Sequence, residues 1–226
     1  MRVAWNARLA RATPVAMLLL GLCLLPALAR PTGSGPPEGP GAKQVWKFDS
    51  DPVGVIPPGF IREGGKWVVV ADGENRVLAQ TEKNNDDAFN LALVEGTSFR
   101  DVDVSVRLRA LKGDVDQGGG LVWRAKDGRN YYLARYNPLE DNYRVYKVVD
   151  GRRTMFKGVK VVLPPGWHVV RVTMAGDRIR CYLDGKEHMD VSDATFGGPG
   201  KIGVWSKADA QSYFDDLTAG DVVPAD

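Results

Sequence analysis

Apolar and polar residues alternate with a period of two along much of this chain. The clearest run covers 102–110. Val102, Val104, Val106, Leu108 and Ala110 fall on one side, and Asp103, Ser105, Arg107 and Arg109 on the other. Successive side chains of a strand point to opposite faces, so the run predicts a strand with one core face and one wet face. Val170, Val172 and Met174 repeat the pattern opposite Arg171 and Thr173, and Ile179, Cys181 and Leu183 repeat it opposite Arg178, Arg180 and Tyr182. Between such runs stand turn residues. Asp150-Gly151 and Asp184-Gly185 each fit a two-residue hairpin turn that needs positive φ, which Gly supplies freely and Asp tolerates. Pro164-Pro165-Gly166 punctuates the entry to a strand at Trp167. From residue 43 onward no helical period of useful length occurs, and many short antiparallel strands with such turns predict an all-β sandwich or jelly roll.

The first 42 residues break the pattern. Arg2, Arg8 and Arg11 precede an apolar run at 15–25, "VAMLLLGLCLL", and Ala27-Leu28-Ala29 follows. That order reads as a secretory signal peptide over 1–29, and the run is shorter than the ~20 residues a spanning helix needs. Residues 30–42, "RPTGSGPPEGPGA", lack apolar content and read as a disordered Pro/Gly tether. The domain is expected over 43–220, with a tail at 221–226. Composition changes the picture once the leader is removed. The formal net charge of +2 becomes −1, because cleavage takes three arginines and no acid. No basic surplus then points to nucleic acid, no membrane span is left, and a secreted, periplasmic or cell-surface location is expected. The remaining Cys181 has no partner for an internal disulfide and alternates with core residues, as a buried structural thiol does.

The segment 164–191, "PPGWHVVRVTMAGDRIRCYLDGKEHMDV", followed by "GKIGVWSKADAQSYFDDL" at 200–217, resembles the second half of a concanavalin A-like jelly roll of the laminin-G type. "FDSDPVGVIPPGF" at 48–60 and the stretch 101–153 narrow the resemblance to secreted bacterial domains grouped with the 3-keto-disaccharide hydrolase (DUF1080-like) families. The resemblance implies two stacked antiparallel sheets, one with a concave outer face. That fold hosts lectins, glycosidases and spacers alike, so function rests on the site.

Parity assigns residues to that face. In "GGLVWRA", Leu121 and Trp123 turn inward and Arg124 outward, since an unpaired buried charge is costly. In "NYYLARYN", Arg135 and Asn137 go outward by the same logic. In "KIGVW", Ile202 and Val204 read as core, which turns Trp205 to the other side. For 143–148 the parity is ambiguous, because Arg144 and Lys147 claim opposite faces. The expected outer face therefore carries Arg124, Arg135, Asn137 and Trp205, with Glu140, Asp141 and Asn142 on the adjoining elbow. An aromatic ring can cover the apolar side of a pyranose, while Arg, Asn and carboxylates meet its hydroxyls. A wet sheet face with weak cross-strand ion pairs is the competing reading.

Among the loop carboxylates Asp114, Asp116, Asp127 and Glu140, two could face each other across a groove, as glycoside cleavage requires. The E-x-D-x-x-E string of laminarinase-type enzymes is absent. For a 3-keto sugar, the family implies a different route. A base (Glu140 or Asp116) removes the proton next to the ketone, and Arg124 or Arg135 steadies the enolate. Asp49 and Asp216 should lie near each other if the first and last strands pair. Oxygen ligands there would suit a structural calcium ion, though solvated hairpin ends are the simpler reading, and no cofactor is required. His168 and His188 are the only histidines, which leaves no zinc set or Ser-His-Asp triad. "GDVDQGGG" at 113–120 lacks the lysine of a phosphate loop and reads as a loop entering a strand. Three functions stay open: a carbohydrate-binding surface module, a 3-keto-glycoside hydrolase or lyase, and a structural domain without a small ligand.

Overall fold

A computed structural model describes residues 43–222. The expected leader, the tether and the last four residues lie outside the described residues. Fifteen strands follow in order: β1 (Gln44–Trp46), β2 (Phe60–Arg62), β3 (Trp67–Asp72), β4 (Asn75–Gln80) and β5 (Phe89–Val94). Then come β6 (Val102–Lys112), β7 (Gly119–Asp127), β8 (Asn130–Asn137), β9 (Asn142–Val149) and β10 (Arg152–Lys160). The chain ends with β11 (His168–Ala175), β12 (Arg178–Leu183), β13 (Lys186–Ser192), β14 (Lys201–Lys207) and β15 (Gln211–Gly220). All pairings are antiparallel. One sheet has the order β13-β12-β11-β6-β15-β4-β3, with β1 added along β15, and the other has the order β10-β9-β8-β7-β14-β5-β2. This is a jelly-roll β-sandwich. Among the described residues no helix is long and apolar enough to cross a membrane.

The alternation places the core as expected. Val102, Val104, Val106 and Leu108 are all fully buried between the sheets, facing Trp123, Tyr132 and Val145 of the second sheet. Burying each such side chain is worth roughly 1.5–3 kcal/mol. Cys181 lies in the same core as a free thiol. The hairpin turns also follow: Asp150 and Gly151 have φ 49° and 81°, Asp184 and Gly185 have 50° and 79°, and both positions twist as a tight antiparallel turn demands. The first and last strands do pair, with Trp46 opposite Leu217.

The ambiguous strand β9 resolves in favour of Arg144. Tyr143 and Val145 enter the inter-sheet core, while Tyr146 and Val148 face out. Lys147 has inward parity but reaches over the sandwich rim, where its Nζ donates to Asp193 at 2.9 Å and Thr195 at 2.8 Å. A long apolar stem lets a lysine lie on the core side and still end in a polar environment.

Candidate functional site

The outer face of the second sheet carries its own apolar cluster, built from Leu91, Val122, Tyr131, Leu133, Tyr146 and Trp205 among others. Strand register sets what lies beside it. Leu91, Trp205, Gly120, Arg135, Arg144 and Gly158 stand side by side across six strands. The row runs from apolar to charged. Gly120 is required in the middle, because a Cβ there would fall 1.8 Å from the Ala134 carbonyl oxygen and 2.7 Å from the Arg135 Cα. Glycine lets the two strands close up and leaves the space beside Arg135 free of a side chain.

Arg135 is 1 % exposed. Its Nη1 donates to Asp116 Oδ1 at 3.0 Å and its Nη2 to Glu140 Oε2 at 2.8 Å. Asn137 Nδ2 also donates to Asp116 Oδ1, at 2.9 Å, while Asn137 Oδ1 accepts from the amides of Leu139 and Glu140 and so shapes the β8–β9 turn. Glu140 Oε2 further accepts from Asn142 Nδ2 at 2.9 Å and Arg144 Nη1 at 3.1 Å. Arg135 and Arg144 are direct cross-strand neighbours, a placement that like charges resist. Glu140 bonds both and offsets the repulsion. Lys207 Nζ stands 3.8 Å from the other oxygen of Asp116.

Asp116 owes its place to a residue that the sequence pattern does not single out. Asp209 accepts from the backbone amides of Asp114, Val115 and Asp116, at 2.7 to 3.3 Å. Three consecutive amides around one carboxylate fix the loop. Burial pushes the Asp116 carboxyl above its ordinary range, against the pull of Arg135 and Lys207. Burial would raise Glu140 too, but hydrogen bonds from Asn142 and Arg135 outweigh it and hold the carboxyl below its usual range.

Five of the sequence-derived residues therefore meet: Arg135, Asn137, Asp116, Glu140 and Asn142. Trp205 is turned outward as parity requires, yet it is fully buried. Its Nε1 donates to the Tyr131 hydroxyl at 3.2 Å and its ring packs on Phe89. It is thus not the open stacking ring expected of it. Met155, 53 % exposed, is the apolar group that reaches solvent nearby. A depression of about 440 Å³ opens there, lined by Glu140, Asn142, Arg144, Met155, Gly158 and their neighbours.

Arg124 is misplaced by parity. The β7–β8 register shifts between Trp123 and Asp127, and Arg124 itself has φ 46°. A bulge inserts extra residues and re-aims the side chain, so odd–even counting fails across it. Arg124 instead closes one end of the sandwich. Its guanidinium donates to the carbonyls of Arg100, Phe196 and Gly176 at 2.6 to 2.9 Å, and to Asp101 at 3.3 Å.

The other expected carboxylates have local duties. Asp127 accepts from the Arg129 amide at 2.7 Å within its own turn. Asp216 accepts from Arg107 at 3.2 Å, and among the described residues no three His, Cys, Asp or Glu side chains gather as a metal ion would need. Arg153, Tyr146 and Asp209 complete the site and were not singled out by sequence.

No family model matches the chain, and no curated protein matches it. Several solved structures share its fold. The carbohydrate-binding module CBM66 from Bacillus subtilis is similar at 21% identity and TM-score 0.62, over 76% of this chain and 99% of that one. A Bacillus subtilis protein of unknown function with a galectin-like fold aligns at 13% identity and TM-score 0.56, over 74% of this chain and 90% of that one. A native glycosidic hydrolase aligns at 13% identity and TM-score 0.57, over 84% of this chain and all of that one. These likenesses show a shared jelly-roll sandwich fold.

Proposed function

We propose that this chain is an exported module that binds a glycan at the charged end of the outer face of its second sheet. Arg135, Asp116, Asn137, Glu140 and Asn142 are the recognition groups. One observation carries this reading. Among the described residues five buried side-chain atoms lack a partner, and three of them lie on this one sheet face: the Nε of Arg135 and Nη1 of Arg153 lack an acceptor and the Oδ1 of Asn142 lacks a donor, while the other two are the Nε atoms of Arg109 and Arg180 on the first sheet. Buried polar atoms are nearly always paired, so three unmatched atoms on one sheet face call for a partner that both donates and accepts. A sugar hydroxyl does both. Met155 offers apolar contact for the ring, and the fold likeness to a carbohydrate-binding module agrees with the reading. The test is calorimetric titration of the purified chain against a panel of neutral and acidic polysaccharides. Glu140→Gln and Asn142→Ala should each weaken binding about tenfold, as loss of hydrogen bonds to a charged group implies. Failure of the whole panel to bind, or wild-type affinity in both variants, would refute the reading and leave a structural domain.

A second reading follows from the convergence of Asp116 and Glu140 on one guanidinium. In a 3-keto-glycoside, a carboxylate would take the proton on the carbon next to the ketone. The electron pair would form an enolate steadied by Arg135 and then expel the glycosidic oxygen, which would leave as an alcohol by taking the proton from the carboxyl, and water would add to the resulting enone. The raised Asp116 carboxyl suits the base better than the lowered Glu140. Product release from a 3-keto-disaccharide, abolished by Asp116→Asn, supports this route, and absence of turnover removes it.

A further inference from the structure

Arg153 on β10 has an unusual set of neighbours. Its guanidinium lies 4.6 Å from the ring centre of Tyr146, 5.5 Å from that of Phe89 and 5.7 Å from that of Trp205. Three aromatic rings hold the cation through their π faces. Such contacts meet the charge but leave the in-plane N–H groups unused. Among the described residues no carboxylate or carbonyl accepts from Arg153, and its Nη1 is buried without a partner. Burial lowers the guanidinium's hold on its proton, and the charge of Arg135 adds to that effect. The two arginines therefore sense each other, with Tyr146 a neighbour of both. Arg135 contributes its own Nε, which has no aligned acceptor although the Tyr146 hydroxyl borders the guanidinium, while 1 % exposed.

The local charge does not balance. Arg135, Arg144, Arg153 and Lys207 stand around Asp116 and Glu140, with Asp209 behind the Asp116 loop, so the cations exceed the carboxylates by one. The opposite sheet also leaves the Nε atoms of Arg109 and Arg180 buried without an acceptor and sets Arg109 over two rings, but it gives its arginines carboxylates: Arg109 pairs with Asp72, Arg171 with Asp103 and Arg178 with Asp190. A neutral sugar would meet the free N–H groups and leave the surplus charge unmet. A carboxylate answers both, because it accepts from planar guanidinium donors and carries the missing charge.

Resting on the glycan reading above, we infer that the site selects an acidic sugar, with the uronate carboxylate received by the spare donors of Arg135 and Arg153. The probes are polygalacturonate, alginate and hyaluronan, each measured beside its carboxyl-reduced form by titration calorimetry in moderate salt. The acidic member of at least one pair should bind about tenfold or more tightly than its reduced form. Arg153→Gln should bring that ratio close to one. Arg178→Gln removes the same unit charge from the exposed outer face of the other sheet and should leave the ratio unchanged. Equal affinity for acidic and reduced forms overturns the acidic-sugar inference and leaves the glycan reading standing. An equal loss of the ratio in Arg178→Gln overturns it too, as bulk attraction. Binding by no member of any pair overturns both. The comparison of the pairs uses the unaltered chain, so it decides the matter even if Arg153→Gln fails to fold.

Discussion

Two arginines on adjacent strands of one sheet are equally buried, at 1 % exposure each, and do different work. Arg124 faces neutral backbone. Three of its four acceptors are carbonyl oxygens from separate loops, and its Nε and both terminal nitrogens are in use. Burial accordingly lowers its affinity for its proton. Arg135 faces side chains, two carboxylates from different loops, and keeps an Nε in reserve. Those carboxylates in turn touch Asn137, Asn142, Arg144 and Lys207, and one of them borders open solvent. A guanidinium that ties down main chain is saturated by the fold. One that is held by other ionic side chains, with donors left over, is arranged toward something outside the fold.

That contrast can be broken by mutation. Arg124→Met should have the largest effect on stability. It strands three loop carbonyls and Asp101 at the sandwich end, and a loss of roughly 3–5 kcal/mol is expected in denaturant unfolding. Ligand binding, measured on whatever fraction folds, should follow folding and nothing else. Arg135→Met should cost somewhat less, about 2–3 kcal/mol, by leaving Asp116 buried without its cation. Its signature is in the pH dependence. With the folded carboxyl of Asp116 raised still further above its unfolded value, the variant should gain stability as pH falls through that raised value. Adding Asp116→Asn should restore much of the loss and abolish the acid gain. If Arg135→Met shows no such gain, the ion pair is not what holds Asp116 in place.

Asp209→Ala should come next, at roughly 1–2 kcal/mol, because three amides lose a charged acceptor. Its sharper readout is binding, which should drop although Asp209 touches no part of the proposed ligand surface. The smallest effect is on local opening in the unaltered chain. Glu140 is held below its ordinary range, so its contribution is present above the ordinary carboxylate value and is lost as pH falls through the lowered one. Hydrogen exchange at the amides of Leu139 and Glu140 should then accelerate before exchange at the Arg124 end does. Simultaneous acceleration at both ends would show that the two networks are not independent.

Parity reads correctly wherever a strand stays regular. It places Arg135, Asn137 and Trp205 on the outer face, as well as the inward residues of β6, β7 and β14. It fails at Arg124, where the bulge breaks the two-residue period. It also says nothing about depth: Trp205 faces outward and is still sealed beneath Phe89, Tyr131 and Arg153. Arg153 itself was invisible as a site residue, since "GRRTMF" offers only basic residues after a turn. Its cage of three rings comes from β5, β9 and β14, far apart in the chain.

By itself, the sequence determined the all-β class, the buried faces and the two Asp-Gly turns, because alternation and positive φ are local demands of the backbone. It also supplied the acids and amides of the β8–β9 elbow. Only the tertiary structure decided which carboxylates meet Arg135, that Arg124 leaves the face, and that Arg153 sits on aromatic rings with a donor to spare. Those outcomes depend on strand register and loop closure, which join residues tens of positions apart, and no local preference encodes where such partners come to rest.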